Sequence, residues 1–84
     1  MNAKLFLQVS NRHGSLERLL RIVRHRGFLV TNLNVDVVPE NARFDITLNV
    51  QSERQLSLLT KQLLKLVDVR QLDVLEGVSY ARSA

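Results

Sequence analysis

The chain contains no cysteine and no tryptophan, and only one proline and three glycines occur among its 84 residues. Without cysteine it has neither a disulfide staple nor a thiolate metal site. No apolar run approaches the ~20 residues that a membrane-spanning helix needs. The first ten residues lack the long apolar stretch and small-residue cleavage site of a signal peptide. We therefore expect a soluble cytoplasmic protein.

The length bounds the architecture. A chain of 84 residues has room for one domain, and a domain of this size buries a small core and is marginally stable alone. The apolar fraction of 45% is typical of a globular core and excludes a disordered chain. Association with a copy of itself or with another chain is the expected source of additional stability.

Positive charge is concentrated near the start of the chain. The formal net charge is +4, and residues 1–26 hold six basic side chains against one acidic one. Such asymmetry is typical of a surface that meets an acidic partner or nucleic acid. It is also typical of a solvated helix face, which is the interpretation we favour slightly.

The hydrophobic pattern predicts six elements. Strict alternation indicates strands over 4–10 and 43–51, and β-branched alternating runs indicate strands over 28–38 and 69–76. An apolar stripe indicates a helix over 15–26 that ends at Gly27, whose freedom at positive φ suits a helix stop. Ser52 and Gln55 have the spacing of a capping box, which predicts that the second helix starts there.

The order strand, helix, strand, strand, helix, strand predicts an α+β domain of the ferredoxin-like βαββαβ type. Its compact form is a four-stranded antiparallel sheet with two helices on one face. We expect a single domain over 1–77 and a frayed C-terminal tail over 78–84. The other sheet face carries side chains that are mostly too polar for a second buried layer: Phe6, Gln8, Asn32, Asn34, Asp36, Asp45, Thr47 and Asn49.

The sequence contains no catalytic or metal motif. His13 and His25 fall on different elements and have no helical His-x₃-His spacing, and no serine has a neighbouring histidine–acid pair. The most informative segment is the polar turn from Asn11 to Gly14, directly before a predicted helix. The first N–H groups of a helix and its positive dipole end suit a carboxylate or a phosphate.

Several segments resemble the ACT domain: Asn11-x-x-Gly14-Ser15-Leu16, Arg26-Gly27-Phe28 and Leu33-x-Val35. The run from Lys61 to Val69 is similar to the second helix and last strand of acetolactate synthase (acetohydroxyacid synthase) regulatory subunits. The short chain and the run from Val23 to Phe28 resemble the short, isozyme II type of small subunit. The resemblance covers residues 5–75.

This resemblance implies a regulatory subunit in branched-chain amino acid biosynthesis that is not itself an enzyme. It implies a homodimer of ACT domains that activates a large catalytic subunit, and a branched-chain amino acid such as valine bound between the two domains. The partner subunit would carry thiamine diphosphate, FAD and magnesium, with no cofactor in this chain. No nucleic acid or membrane partner is implied. The effector-binding positions would be Asn11, Arg12, His13, Gly14, Ser15 and Leu29.

Leu29 departs from the family pattern. Valine-sensitive members have an asparagine at this position, after the aromatic residue that opens the second strand. An apolar side chain cannot make the hydrogen bonds of an amide to the charged end of an amino acid. We therefore predict weak or absent valine feedback, with assembly and activation retained.

Three other functions share this order of elements. An ACT domain could sense an amino acid for another enzyme. A basic RNA-binding module would need base-stacking aromatics on its middle strands, where only Phe6 is available. An acylphosphatase-like enzyme would need a phosphate-binding loop with an arginine; Arg12 is present, but the loop lacks a second glycine.

Overall fold

The computed structural model describes residues 1–77, and the predicted tail lies outside the described residues. The element order is the predicted one. The bounds are β1 Asn2–Ser10, α1 Ser15–His25, β2 Leu29–Val38, β3 Arg43–Gln51, α2 Leu56–Leu64 and β4 Val69–Gly77. A short 3-10 turn over Pro39–Asn41 joins β2 to β3.

The four strands form one sheet in the order β2-β3-β1-β4, and every neighbouring pair is antiparallel. β1 and β3 are therefore the central strands, whereas β2 and β4 are the edges. The predicted ferredoxin-like fold is confirmed. β3 has the predicted bounds, which follows from its unbroken alternation of apolar and polar side chains.

One core lies between the sheet and the helices. Leu5 and Leu7 of β1 face Leu48 and Ile46 of β3, and all four side chains are fully buried. The apolar stripes of both helices close the core from above. Its buried members are Ala3, Leu5, Leu7, Val9, Leu19, Val23, Phe28, Ile46, Leu48, Val50, Leu59 and Leu63.

The helices do not cover the sheet to its β2 edge. Leu33 and Val37 pair with the inward-facing Leu48 and Phe44, yet both are exposed, Val37 by 57%. Leu29, the first residue of β2, is 62% exposed. The outer strand of the sheet thus exposes Leu33 and Val37 on the helix side and Leu29, which pairs with Gln51, on the open face, all beside unpaired backbone groups.

The start of α2 differs from the predicted capping box. The helix begins at Leu56, and Gln55 precedes it in an extended conformation with no side-chain cap. The Ser52 hydroxyl instead accepts the N–H of Arg54 at 2.9 Å and donates to the carbonyl of Gly27 at 2.8 Å. The prediction was wrong because this hydroxyl ties the α1–β2 connection to the chain before α2.

A buried carboxylate fastens α1 to the start of β4. The side chain of Asp68 is only 6% exposed and accepts a hydrogen bond from Arg18 Nη2 at 3.2 Å. Arg12 Nε lies 3.7 Å from its other oxygen. The backbone carbonyl of Asp68 also accepts the N–H of Ser10 at 2.8 Å. One residue therefore joins the end of β1, the segment before α1, α1 itself and β4.

Replacing Asp68 with asparagine should lower the free energy of unfolding by about 1–2 kcal/mol, because a charge-assisted hydrogen bond at a buried oxygen is lost. Urea denaturation followed by circular dichroism measures the change. Asp73→Asn is the matched control, since this carboxylate is exposed and, within residues 1–77, accepts a side-chain hydrogen bond from Gln71 alone, at 2.7 Å. Equal effects of the two substitutions would contradict the role given to Asp68.

Ala42 provides a second test of the fold. It adopts the left-handed conformation, with φ 49° and ψ 54°, which costs an L-residue roughly 1–2 kcal/mol. Ala42→Gly removes this strain but adds unfolded-state entropy worth about 0.4–1 kcal/mol. We expect a net stabilisation of up to about 1 kcal/mol, measured as a higher urea midpoint. Ala42→Val, with a branched side chain at the same backbone angles, should lower the midpoint.

Candidate functional site

The 11–14 loop joins the end of β1 to α1 and is held by backbone hydrogen bonds. The N–H of Asn11 donates to the carbonyl of Ala42 at 2.8 Å, which anchors the loop to the β2–β3 turn. Gly14 sits at the N-cap of α1 in the left-handed conformation, with φ 79°. Glycine adopts this angle without steric cost. The helix that follows therefore has a defined direction.

The start of α1 offers backbone donors and one buried hydroxyl. Ser15 is buried, and its Oγ accepts the N–H of Arg12 at 3.3 Å. Its own N–H donates to the carbonyl of Arg12 at 3.0 Å, which closes a tight turn. No side chain caps the helix. The first turn of α1 can therefore direct N–H groups and the positive end of its dipole at an anionic group.

Arg12 and His13 supply the side chains of this loop. Both are exposed, and Arg12 extends past the carboxylate of Asp68 at 3.7 Å. His25, the other histidine, is the last residue of α1. An 11-residue helix is about 16 Å long at ~1.5 Å per residue, so the two imidazoles lie at opposite ends of it. The structure thus places His13 in the loop, too far from His25 for the two imidazoles to act together.

Leu29 lies far from the other five predicted positions within one chain. It pairs with Gln51 at one end of β3, whereas Arg43 at the other end pairs with Ser10 beside the loop. Eight residues of strand separate these ends, which is about 27 Å at ~3.4 Å per residue. The structure therefore brings Asn11, Arg12, His13, Gly14 and Ser15 together and leaves Leu29 at the opposite end of the sheet.

Sequence reasoning missed two residues that position the loop. In the sequence, Asp68 belongs to the run that resembles the regulatory subunits but has no predicted role of its own. Arg70 has no predicted role either. Arg70 donates from Nε to Ser10 Oγ at 3.0 Å, from Nη1 to Asn41 O at 3.0 Å and from Nη2 to Ala42 O at 3.2 Å. The carbonyl of Ala42 thus accepts from both Asn11 and Arg70. No periodicity could have found these contacts, because they join segments distant in sequence.

The open sheet face is polar, as predicted. Arg43 Nε donates to Asp45 Oδ1 at 2.7 Å, and this hydrogen bond raises the pKa of Arg43 above its ordinary value. Among the phenylalanines, Phe6 lies on this face, whereas Phe28 is buried and Phe44 faces inward with Val9. A single aromatic gives a poor platform for stacking bases.

Residues 1–77 contain no helix that is long and apolar enough to cross a membrane. The same residues include no cluster of three or more histidine, aspartate or glutamate side chains placed to hold a metal ion.

Known proteins give matches of three kinds: a family model, a related sequence and solved structures. The model of the ACT domain family matches residues 11–72. The chain is 42% identical over 65 residues to the acetolactate synthase isozyme 2 small subunit of Escherichia coli K12, which covers 77% of this chain and 75% of that protein. Two further matches concern the fold alone, since their identities are low.

The first solved structure is the acetolactate synthase small subunit of Thermotoga maritima, with a TM-score of 0.76 and 19% identity. It matches 88% of this chain, which spans 47% of that one. The second is the ACT domain of GTP pyrophosphokinase from Chlorobium tepidum, with a TM-score of 0.76 and 13% identity over 89% of this chain and 97% of that domain.

The matched segment includes the 11–14 loop, both helices and the start of β4, which are the parts that the geometry singles out. The family model, the sequence identity and the fold all point to the same family. The chain belongs to the ACT domain family and, within it, to the small subunits of acetolactate synthase.

Proposed function

We propose that this chain is a regulatory subunit, not itself catalytic, that activates the catalytic subunit of an acetolactate synthase in branched-chain amino acid biosynthesis. The observation that carries the proposal is the 42% identity to the E. coli small subunit across three quarters of that protein's length. The complex would act in the cytoplasm, and the catalytic partner would hold the thiamine diphosphate, FAD and magnesium.

A homodimer paired through β2 is the assembly that the exposed edge supports. Two β2 strands related by a two-fold axis run antiparallel and can extend the sheet from four strands to eight. The uncovered side chains of Leu33 and Val37, which share the helix side of the sheet, would then be buried against those of the copy. Burial of an exposed apolar side chain favours association by about 25 cal/mol for each Å² removed from water.

The outer face of α1 supports the same pairing. Glu17, Leu20 and Arg24 follow one another at helical spacing along a concave surface of about 500 Å³. When two such helices meet antiparallel about Leu20, Glu17 of each lies opposite Arg24 of the other. Arg21 and His25 also line this surface, so the complementarity of charge is confined to the Glu17–Arg24 pairs around Leu20.

Pairing also supplies what one chain lacks at the loop. In an antiparallel β2 pair, the partner copy's Leu29 lies opposite Val38. Val38 is next to the turn that holds Asn11 through the carbonyl of Ala42. An amino acid effector would then have its carboxylate on the first turn of α1 and would meet Leu29 of the other copy. The effector positions thus become one site only in the dimer.

The dimer is tested by placing a charge on the edge strand. Val37→Lys should convert the protein to a monomer in sedimentation velocity, since a lysine on an edge strand opposes sheet extension and desolvation of its ammonium is costly. Val67→Lys is the matched control: Val67 is 87% exposed and lies outside the strands. A dimer that persists in Val37→Lys would show that β2 is not the interface.

The function is tested by acetolactate formation by the cognate catalytic subunit, with and without this chain and with valine titrated. We expect several-fold activation that persists at high valine. Leu29→Asn should make activity sensitive to valine, lowering its inhibitory concentration roughly tenfold or more, because an amide restores a hydrogen bond to a charged group. Leu29→Ala, which removes apolar surface without adding an amide, should leave the valine response unchanged.

Absence of both activation and binding would refute the regulatory role. Inhibition of the unaltered complex by valine would refute only the part assigned to Leu29, and would show that other groups replace the missing amide.

A further inference from the structure

The eight arginines between residues 1 and 77 divide into two groups. Four are held by carboxylates or carbonyls: Arg12, Arg18, Arg43 and Arg70. Four others, Arg21, Arg24, Arg26 and Arg54, make no side-chain ion pair or hydrogen bond with any residue between 1 and 77. The unpaired group lies on the helix layer, on α1 and at the approach to α2. The first group of arginines thus stabilises the fold through its carboxylate and carbonyl partners. The second group forms a separate basic surface on the helix layer.

Two of the unpaired arginines line a groove between the end of α1 and the outer side of α2. We call it the arginine groove; its volume is about 290 Å³, and its lining residues are His25, Arg26, Arg54, Leu58 and Gln62. Leu58 is 47% exposed there. The groove combines two guanidinium groups, an imidazole, an amide and an apolar side chain. This composition matches a peptide segment that carries carboxylates beside an apolar residue.

The side chain of Arg54 packs against the backbone of Gly27. A Cβ at Gly27 would lie 2.7 Å from Arg54 Nε and 3.1 Å from its Cδ, so this side chain lies directly over the glycine. The φ of Gly27 is +87°, where glycine is favoured in any case. The guanidinium is thus placed at the groove without a carboxylate to neutralise it, and its donors remain available to a partner.

We propose that the arginine groove docks an acidic segment of the catalytic subunit, an inference that rests on the function proposed above. The groove stands apart from the edge strand, because its residues belong to the C-terminal end of α1 and the outer side of α2. His25 also lines the α1 surface proposed for pairing, but Arg26 and Arg54 do not, so both guanidinium groups stay accessible when two copies pair through β2. Arginine forks bind carboxylates through two parallel hydrogen bonds, which gives a docking contact both attraction and direction.

The test compares two double variants with equal loss of charge. Arg26→Gln/Arg54→Gln removes the groove's guanidinium groups, and Lys61→Gln/Lys65→Gln removes two exposed lysines of the same helix layer that do not line it. Affinity for the purified catalytic subunit is measured by calorimetry at low and high salt. Circular dichroism melts and sedimentation confirm that each variant is folded and dimeric.

We expect the groove variant to bind about tenfold more weakly or worse and to lose much of its salt dependence, because charged contacts are removed from the interface. The lysine variant should bind within about twofold of the unaltered chain, since exposed charges away from an interface contribute little. Acetolactate formation at saturating subunit should recover in the groove variant, which assigns the defect to docking.

Four results would overturn the inference. The first is unaltered affinity of the groove variant while the original chain binds and activates, which leaves the regulatory function intact. The second is equal weakening by both double variants, which would show a diffuse charge effect. The third is no binding by the original chain at all, which removes the proposed function as well. Salt-sensitive binding of a generic RNA that the groove variant alone loses would assign the surface to phosphates and overturn it too.

Discussion

The structure depends on one constraint: two short helices must close one face of a four-stranded sheet. β1 is central because it pairs with both β3 and β4, and its alternating side chains supply the middle of the core. Helices of 11 and nine residues cannot shield the whole width of that sheet. The uncovered part falls on β2. This small domain thus buries the apolar side chains of its central strands but leaves those of the edge strand β2 exposed. Association with another chain would cover them.

Much of this could be predicted from the sequence because the relevant signals are local. Strict alternation predicted the bounds of β3 and the end of β1, which starts at Asn2, two residues before the predicted start. The helix stripes predicted which sheet face is covered, because the period of a pattern depends on neighbours in the chain. The prediction for Ser52 was wrong for a physical reason. Its hydroxyl fits the spacing of a cap, yet it is used by a contact with Gly27 that only the folded chain creates.

The candidate site was less accessible to sequence reasoning. The loop from Asn11 to Gly14 could be located by its composition and its place before a helix. Its supports could not: Asp68 and Arg70 reach it across more than fifty residues of chain. Nor could the distance of Leu29 be known before the strand register, because that distance depends on which end of β3 each segment meets. Local pattern identifies a loop, whereas only topology shows what holds it and what lies opposite.

The carbonyl of Ala42 has a dynamic consequence. It accepts one hydrogen bond from the 11–14 loop and another from Arg70 of the last strand. A fluctuation that swings this peptide away would break both bonds together, so the hairpin turn and the loop open as one cooperative unit of local unfolding. Amide hydrogens on both sides of the contact would then exchange with solvent through a single opening. A ligand that orders the loop would therefore also slow the local opening of the hairpin.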